Sequence, residues 1–197
     1  KEVHFDAEHF FDGFAANKKY AISIVKEAMA AGADWVVLCD TNGGCMPNQV
    51  TETIESLIEE GIDASRLGIH AHNDTENAVA NSLAAVQAGV RQIQGTLNGL
   101  GERCGNANLI SLLPTLLLKP QFAEKFVTGV TSDSLKEITR ASRIMDDVLN
   151  RVPNRFAPYV GSSAFAHKAG LHANAILKDT ETLSLIHISE PTRHTRI

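Results

Sequence analysis

The sequence predicts an α/β fold: half of a (β/α)8 barrel, about four βα units, followed by a small helical subdomain. Two observations predict it. Short apolar runs alternate with segments of helical period through the first two-thirds of the chain, which is the pattern of a parallel sheet with helical crossovers. Two of the units also echo each other. Ala30-Ala31-Gly32-Ala33 leads through an apolar run to Thr41-Asn42-Gly43, and Gln87-Ala88-Gly89-Val90 leads through another to Leu97-Asn98-Gly99.

Each element has its own reason. Val3-His4-Phe5 is a short strand. Asn17 to Ala31 is a helix, with Ala21, Ile24, Val25 and Ala28 on one face and Gly32 ending it. Trp35 to Cys39 is continuously apolar, as a parallel strand buried on both faces requires. Pro47 stands where a helix starts, and Val50, Ile54, Leu57 and Ile58 form its apolar stripe. Leu67 to His72 is the third strand, Asn77 to Ala88 the third helix with Gly89 after it, and Gln92 to Thr96 the fourth strand. Asn106 to Leu118 is helical, with Pro114 a kink or break. Leu135, Ile138, Thr139, Ser142, Ile144 and Met145 then predict one long helix, broken at Arg151-Val152-Pro153. Residues 1–131 are assigned to the partial barrel and 132–182 to the linker subdomain. Residues 183–197 differ in character and are set aside as a non-native tail. Four units leave an unpaired sheet edge on each side.

Composition narrows the function. Of 197 residues 44% are hydrophobic and 21% charged, ordinary for a globular protein with a sizeable core. A formal net charge of -5 disfavours a nucleic-acid or membrane-surface footprint. No apolar run is long enough to span a bilayer. Cys39, Cys45 and Cys104 are scattered without metal-knuckle spacing, which fits a reduced, cytoplasmic setting. The opening Lys1-Glu2-Val3-His4-Phe5 is no signal peptide and lacks a Met, so the chain is expected to begin inside a longer protein.

Chemistry concentrates at strand ends, where parallel barrels place their active sites. His70 and His72 are two residues apart on a strand, so both side chains leave the same face with Cα atoms roughly 6.5 Å apart, close enough to share a cation. Asn73-Asp74 follows them and is placed to orient the rings. After the next strand comes Asn98-Gly99-Leu100-Gly101-Glu102-Arg103-Cys104-Gly105-Asn106. Its glycines permit sharp turns, and Asn106 offers a neutral oxygen to the same cation. Arg103 is a substrate-binding candidate; the alternative is an internal ion pair with Glu102 that fixes the loop. Thr41 is a candidate contact for a carboxylate, or else a turn residue. Glu8 is placed for acid–base work. His167 and His172 lie five apart and carry little signal alone. Cys104 has no neighbouring His or Lys to activate it.

These motifs together resemble the family of 2-isopropylmalate, homocitrate and citramalate synthases, with similarity from Val3 to Thr182. It is carried by Phe5 to Gly13, Cys39 to Gly44, Gly68 to Asp74, Asn98 to Asn106, and Gly161 to Lys168. The likeness to the citramalate branch is greatest. The resemblance implies a (β/α)8 barrel that condenses acetyl-CoA with a small 2-keto acid, pyruvate giving citramalate for isoleucine synthesis, and a homodimeric full-length parent. It implies a divalent metal (Mg, Mn or Zn) held by His70, His72 and Asn106. It also implies a keto-acid contact at Thr41, an acid near the acetyl group at Glu8 and a catalytic histidine at His172. Relatives often carry Asp two residues after that histidine; here it is Asn174. The family's first strand, Asp-Thr-Thr-Leu-Arg-Asp-Gly or a close variant, supplies a metal-binding Asp and a substrate-holding Arg and does not occur in this sequence. The resemblance thus implies that this chain is the C-terminal half of the (β/α)8 barrel followed by a helical linker subdomain, expected to be inactive or nearly so by itself. A carbon–carbon lyase of the same superfamily shares His-x-His, but carries its Cys directly after Gly-Leu-Gly-Gly. Here Glu102-Arg103 intervene before Cys104.

Overall fold

The computed structural model describes residues 1–164 and 166 of the chain. Compactness divides the chain into Lys1–Leu109 and Ile110–Ile197. That division falls earlier than the 131/132 boundary drawn from the change in sequence pattern, which is a different criterion.

The first unit is a parallel sheet in the order β1-β2-β3-β4, with β1 His4–Ala7, β2 Trp35–Asp40, β3 Leu67–Ala71 and β4 Gln92–Gln94. Strands therefore sit side by side in chain order, as successive βα units of a barrel do. The intervening helices are α1 Phe10–Ala16, α2 Lys18–Ala30, α3 Pro47–Glu59 and α4 Ala78–Ala88. Helices α1 and α2 pack on β2, α4 packs on β3, and α3 packs on α4. Val36, Val37 and Leu38 of β2, Ile54 and Leu57 of α3, and Leu67 and Ile69 of β3 are fully enclosed in the resulting core.

Local chemistry sets the element ends. Asn17 caps α2 by accepting from the Tyr20 amide. Pro47 opens α3, where its missing N–H costs nothing. Gly89 follows α4 at φ 127, a conformation that strains any residue with a Cβ. Helix α1 is absent from the sequence-based assignment. It starts from His9 in the left-handed conformation, without a side-chain cap, so none of the usual start signals precedes it.

The sheet is curled. Outer strands of a flat four-stranded sheet lie about 14 Å apart, too far for their side chains to meet. Yet Gln92 Nε2 of β4 lies 2.8 Å from His4 Nδ1 of β1, and Gln94 Nε2 donates to Asp6 Oδ1 at 3.2 Å. The polar side chains of the outer strands thus meet across the concave face. Gly68 on β3 makes room for this, because a Cβ there would strike Gln92 Oε1 and press on Val37.

In the second unit α5 Leu109–Leu118 contains the buried Pro114 without interruption. It begins three residues later than the sequence suggests, because Asn106 and Asn108 are held in β-bridges to His72 and Thr96. Short helices α6 Pro120–Ala123 and α7 Ser132–Leu135 follow, then α8 Ile138–Val148. The single long helix expected from residue 132 is therefore two, and only its first part is enclosed. Leu135, Ile138 and Ser142 are buried, whereas Ile144 is 50% exposed. His172 and residues 183–197 lie outside the described residues.

Candidate active site at the strand ends

The site is assembled by backbone pairing past the ends of β2, β3 and β4. The His72 amide donates to the Asp40 carbonyl at 3.2 Å, the Ala107 amide to the Ala71 carbonyl at 3.0 Å, and the Asn73 amide to the Gly105 carbonyl at 2.9 Å. These bonds lay the Asn106 segment antiparallel beside His72. His72 consequently lies just beyond β3 rather than within it. Residues separated by more than thirty positions are thereby brought together.

The imidazoles of His70 and His72 have centroids 5.2 Å apart with planes at 46°. Asn106 is 7% exposed, and its Nδ2 donates to His70 Nε2 at 2.8 Å. His70 Nδ1 donates to Gln94 Oε1 at 2.8 Å. His72 Nδ1 is buried without a partner. Burial, followed by the nearby Arg103 and His70, lowers the His72 pKa and keeps the ring neutral. The structure thus brings His70, His72 and Asn106 together.

This donor set fits a divalent cation in part. A neutral imidazole with a buried, orphaned nitrogen is a metal ligand in waiting, as is a ring whose outer nitrogen is fixed by a hydrogen bond. Among the described residues no group of three or more His, Cys, Asp or Glu could hold a metal. The three donors of this chain are two imidazoles and a carboxamide, with no carboxylate.

The neighbouring residues hold the loops. Arg103 donates from Nε to Asp74 Oδ1 at 2.8 Å and from Nη2 to Asp74 Oδ2 at 2.9 Å, and Nη2 also reaches the Thr41 carbonyl at 2.7 Å. One guanidinium therefore ties together the loops after β2, β3 and β4. The partner of Arg103 is Asp74 and not Glu102, because the left-handed backbone of Arg103, at φ 53, turns its side chain across to the β3 loop. Asp74 is correspondingly held below the usual carboxylate range, chiefly by these hydrogen bonds. Asp74 spends both oxygens on Arg103, and Asn73 Oδ1 accepts from the Ala78 amide at 3.2 Å. The groups that bond His70 are Gln94 and Asn106 instead of that pair.

Thr41 and Glu8 are also brought together. The Thr41 hydroxyl donates to Glu8 Oε2 at 2.7 Å and accepts from the His9 amide at 2.8 Å. Behind them Asp40, 3% exposed, accepts from the Gly44 and Cys45 amides and from Asn81 Nδ2. Asn81 and Gln94 have no motif in the sequence to mark them. Their roles depend on helix and strand packing, and a lone amide side chain gives no signal of it. Cys39 and Cys45 are raised to about 12, mainly by burial, which makes both thiols inert at neutral pH.

The HMGL-like family matches residues 1–144 of this chain. The chain belongs to the HMGL-like family. It is 51% identical over 181 residues to the (R)-citramalate synthase of Aquifex aeolicus, an alignment covering 92% of this chain and 33% of that protein. It is 38% identical over 188 residues to the 2-isopropylmalate synthase of Methylacidiphilum infernorum, covering 94% of this chain and 36% of that protein. The chain thus spans about a third of the length of these curated relatives. Among solved structures, an HMG-CoA lyase of Acinetobacter baumannii in complex with coenzyme A and 3-methylmalate superposes with a TM-score of 0.60 at 22% identity. That superposition covers 78% of this chain and 50% of the lyase. The lyase likeness shows the fold, and with it the parallel four-stranded sheet as part of an HMGL-like barrel. No helix among the described residues is long and apolar enough to cross a membrane.

Proposed function

We propose that this chain is part of an enzyme that condenses acetyl-CoA with a small 2-keto acid, pyruvate giving (R)-citramalate. The observation that carries the proposal is the convergence of His70, His72 and Asn106 at the strand ends, in a chain about half identical to citramalate synthases. Those three side chains would hold a divalent ion, Mg, Mn or Zn, which when bound polarises the keto group and anchors the carboxylate of the acid.

The chain's own residues do the remaining work. The Thr41 hydroxyl gives its one hydrogen to Glu8 Oε2 in this structure, so for the keto-acid carboxylate to accept from Thr41 that hydrogen turns from Glu8 to the substrate while the His9 amide still holds the oxygen. Arg103 contributes to substrate binding by fixing the Thr41 backbone. Glu8 is the acidic neighbour of the acetyl group. A base removes the methyl proton of acetyl-CoA, with His172 and Glu8 the catalytic residues assigned by motif, and the resulting carbon nucleophile adds to the keto carbon, whose oxygen takes up a proton. Water then cleaves the thioester and makes the sequence irreversible. The full-length protein is proposed to be a homodimer.

The test uses the full-length protein that contains this chain. His72→Ala is expected to abolish both bound divalent ion and thiol release from acetyl-CoA with pyruvate. Retention of both in the variant overturns the proposal. Faster turnover of a branched, bulkier 2-keto acid than of pyruvate assigns the protein to 2-isopropylmalate synthesis instead.

A further inference from the structure

A hydrogen-bonded chain crosses the concave face of the sheet from β1 to the loop after β4. Asp6 Oδ1 accepts from Gln94 Nε2 at 3.2 Å, Gln94 Oε1 accepts from His70 Nδ1 at 2.8 Å, and His70 Nε2 accepts from Asn106 Nδ2 at 2.8 Å. Its direction is dictated by chemistry. An ionised carboxylate only accepts, so the edge of Gln94 that faces Asp6 must be its NH2 group. The other edge is then the carbonyl oxygen, which can only accept. His70 must therefore carry its hydrogen on Nδ1, leaving the lone pair on Nε2, where Asn106 sits. Reversing the glutamine would set its oxygen against a carboxylate, a clash that a change of His70 tautomer could not relieve.

The fold fixes this arrangement. His70 and Gln94 are direct partners in the β3–β4 register. Gly95 follows, and a Cβ there would lie 2.6 Å from the Ala107 carbonyl, so the strand runs close against the segment that carries Asn106.

We propose that Gln94, backed by Asp6, is a positioning residue that sets the tautomer and ring orientation of His70 so that Nε2 is the nitrogen offered to the ion. The inference rests on the ion site proposed above. A glutamine does this without adding charge beside the imidazoles. It holds a neutral ring in one of its two neutral forms, so no tautomer exchange has to precede coordination.

The test measures Mn2+ binding to the full-length protein from the electron paramagnetic resonance of free ion, which needs no catalysis. Gln94→Met, similar in shape but without the acceptor, is expected to weaken binding about 10- to 100-fold. Gln94→Glu keeps an acceptor opposite Nδ1 but sets a carboxylate against Asp6, so it is combined with Asp6→Asn, whose NH2 can donate to it, and the paired variant is expected to bind nearly as the parent does. Unchanged binding in Gln94→Met, or equal weakening in both variants, overturns the inference. The His70 tautomer is read independently from 15N shifts in histidine-labelled parent protein, whether or not the variants fold. Protonated Nδ1 supports the inference, and protonated Nε2 overturns it. Unchanged Mn2+ binding in His70→Ala identifies a different failure, that of the ion site itself.

Discussion

Arg103 shows how one side chain can organise several loops. Its fork geometry matches both oxygens of Asp74 while the same Nη2 reaches the Thr41 carbonyl, a combination that an ammonium on a flexible stem cannot reproduce. Arg103 is exposed and Asp74 half-buried, so solvent screens the pair and its value lies in fixing geometry more than in stability. Its pH dependence has a definite sign. The Asp74 carboxyl titrates below its unfolded value of about 3.9, because Arg103 favours the charged form. The stabilisation is complete above about pH 5 and is lost as pH falls through the lowered folded value. With His72→Ala in both, so that the ring influenced by Arg103 does not titrate, the gap in thermal midpoint between proteins with and without Arg103→Ala should stay constant from pH 7 to about 5 and narrow as pH falls further, leaving the part due to the Thr41 carbonyl. A gap that persists unchanged into strong acid would show that Arg103 stabilises by something other than the carboxylate. Asn81 carries a different weight at the same scale. Fully buried on α4, it donates to the Cys45 carbonyl at 2.9 Å and toward Asp40. Asn81→Leu strands those acceptors and should destabilise the protein by about 1–3 kcal/mol, measured by urea unfolding.

At the scale of elements, the loop between β4 and α5 governs the site. Gly105 has φ 91, and a Cβ there would run into the Gly99 carbonyl. The Gly105 carbonyl meanwhile accepts the Asn73 amide, and the Asn106 amide bonds the Gly99 carbonyl at 3.1 Å. Gly105→Ala should therefore cost about 1 kcal/mol or more, and displace Asn106 from His70. The checks are a lowered urea midpoint and weakened Mn2+ binding in the same variant; weakened stability with unchanged binding would separate the loop from the ion site. Much of this architecture is legible in the sequence for physical reasons. β2 announces itself because both its faces are buried, so Trp35 to Cys39 is apolar without alternation. Pro47 marks a helix start because its missing N–H costs nothing there, and Gly89 a helix end because its φ of 127 strains a residue with a Cβ. His70, His72 and Asn106 are legible because strand ends and glycine turns bring such residues to one rim. What is not legible depends on curvature. The Asp6–Gln94 bond spans 88 residues and two intervening strands, and no periodicity encodes how far a sheet curls. The α7–α8 break is invisible because Leu135, Ile138 and Ser142 keep one buried stripe across Lys136-Glu137, where neither Gly nor Pro marks an end.

At the scale of the whole molecule, the described sheet has two outer strands with free hydrogen-bonding sides, β1 and β4. β1 is the more exposed, with His4, Phe5 and Asp6 open and Phe5 39% exposed. An open, partly apolar parallel edge is a template for pairing with another strand. The curated relatives are about three times as long, and residues beyond this segment in such proteins are where barrel strands to cover these edges would come from. The 197-residue chain produced alone should accordingly self-associate as its concentration rises, with light-scattering mass climbing above the 21.3 kDa of a monomer. Phe5→Lys places a charge on the β1 edge while leaving the inward-facing Asp6 and His4 in place, and should lower that association. The same substitution in the full-length protein should leave assembly unchanged if β1 is paired there. A chain that stays monomeric at all concentrations, with or without the lysine, would mean that its sheet edges are closed by the chain itself.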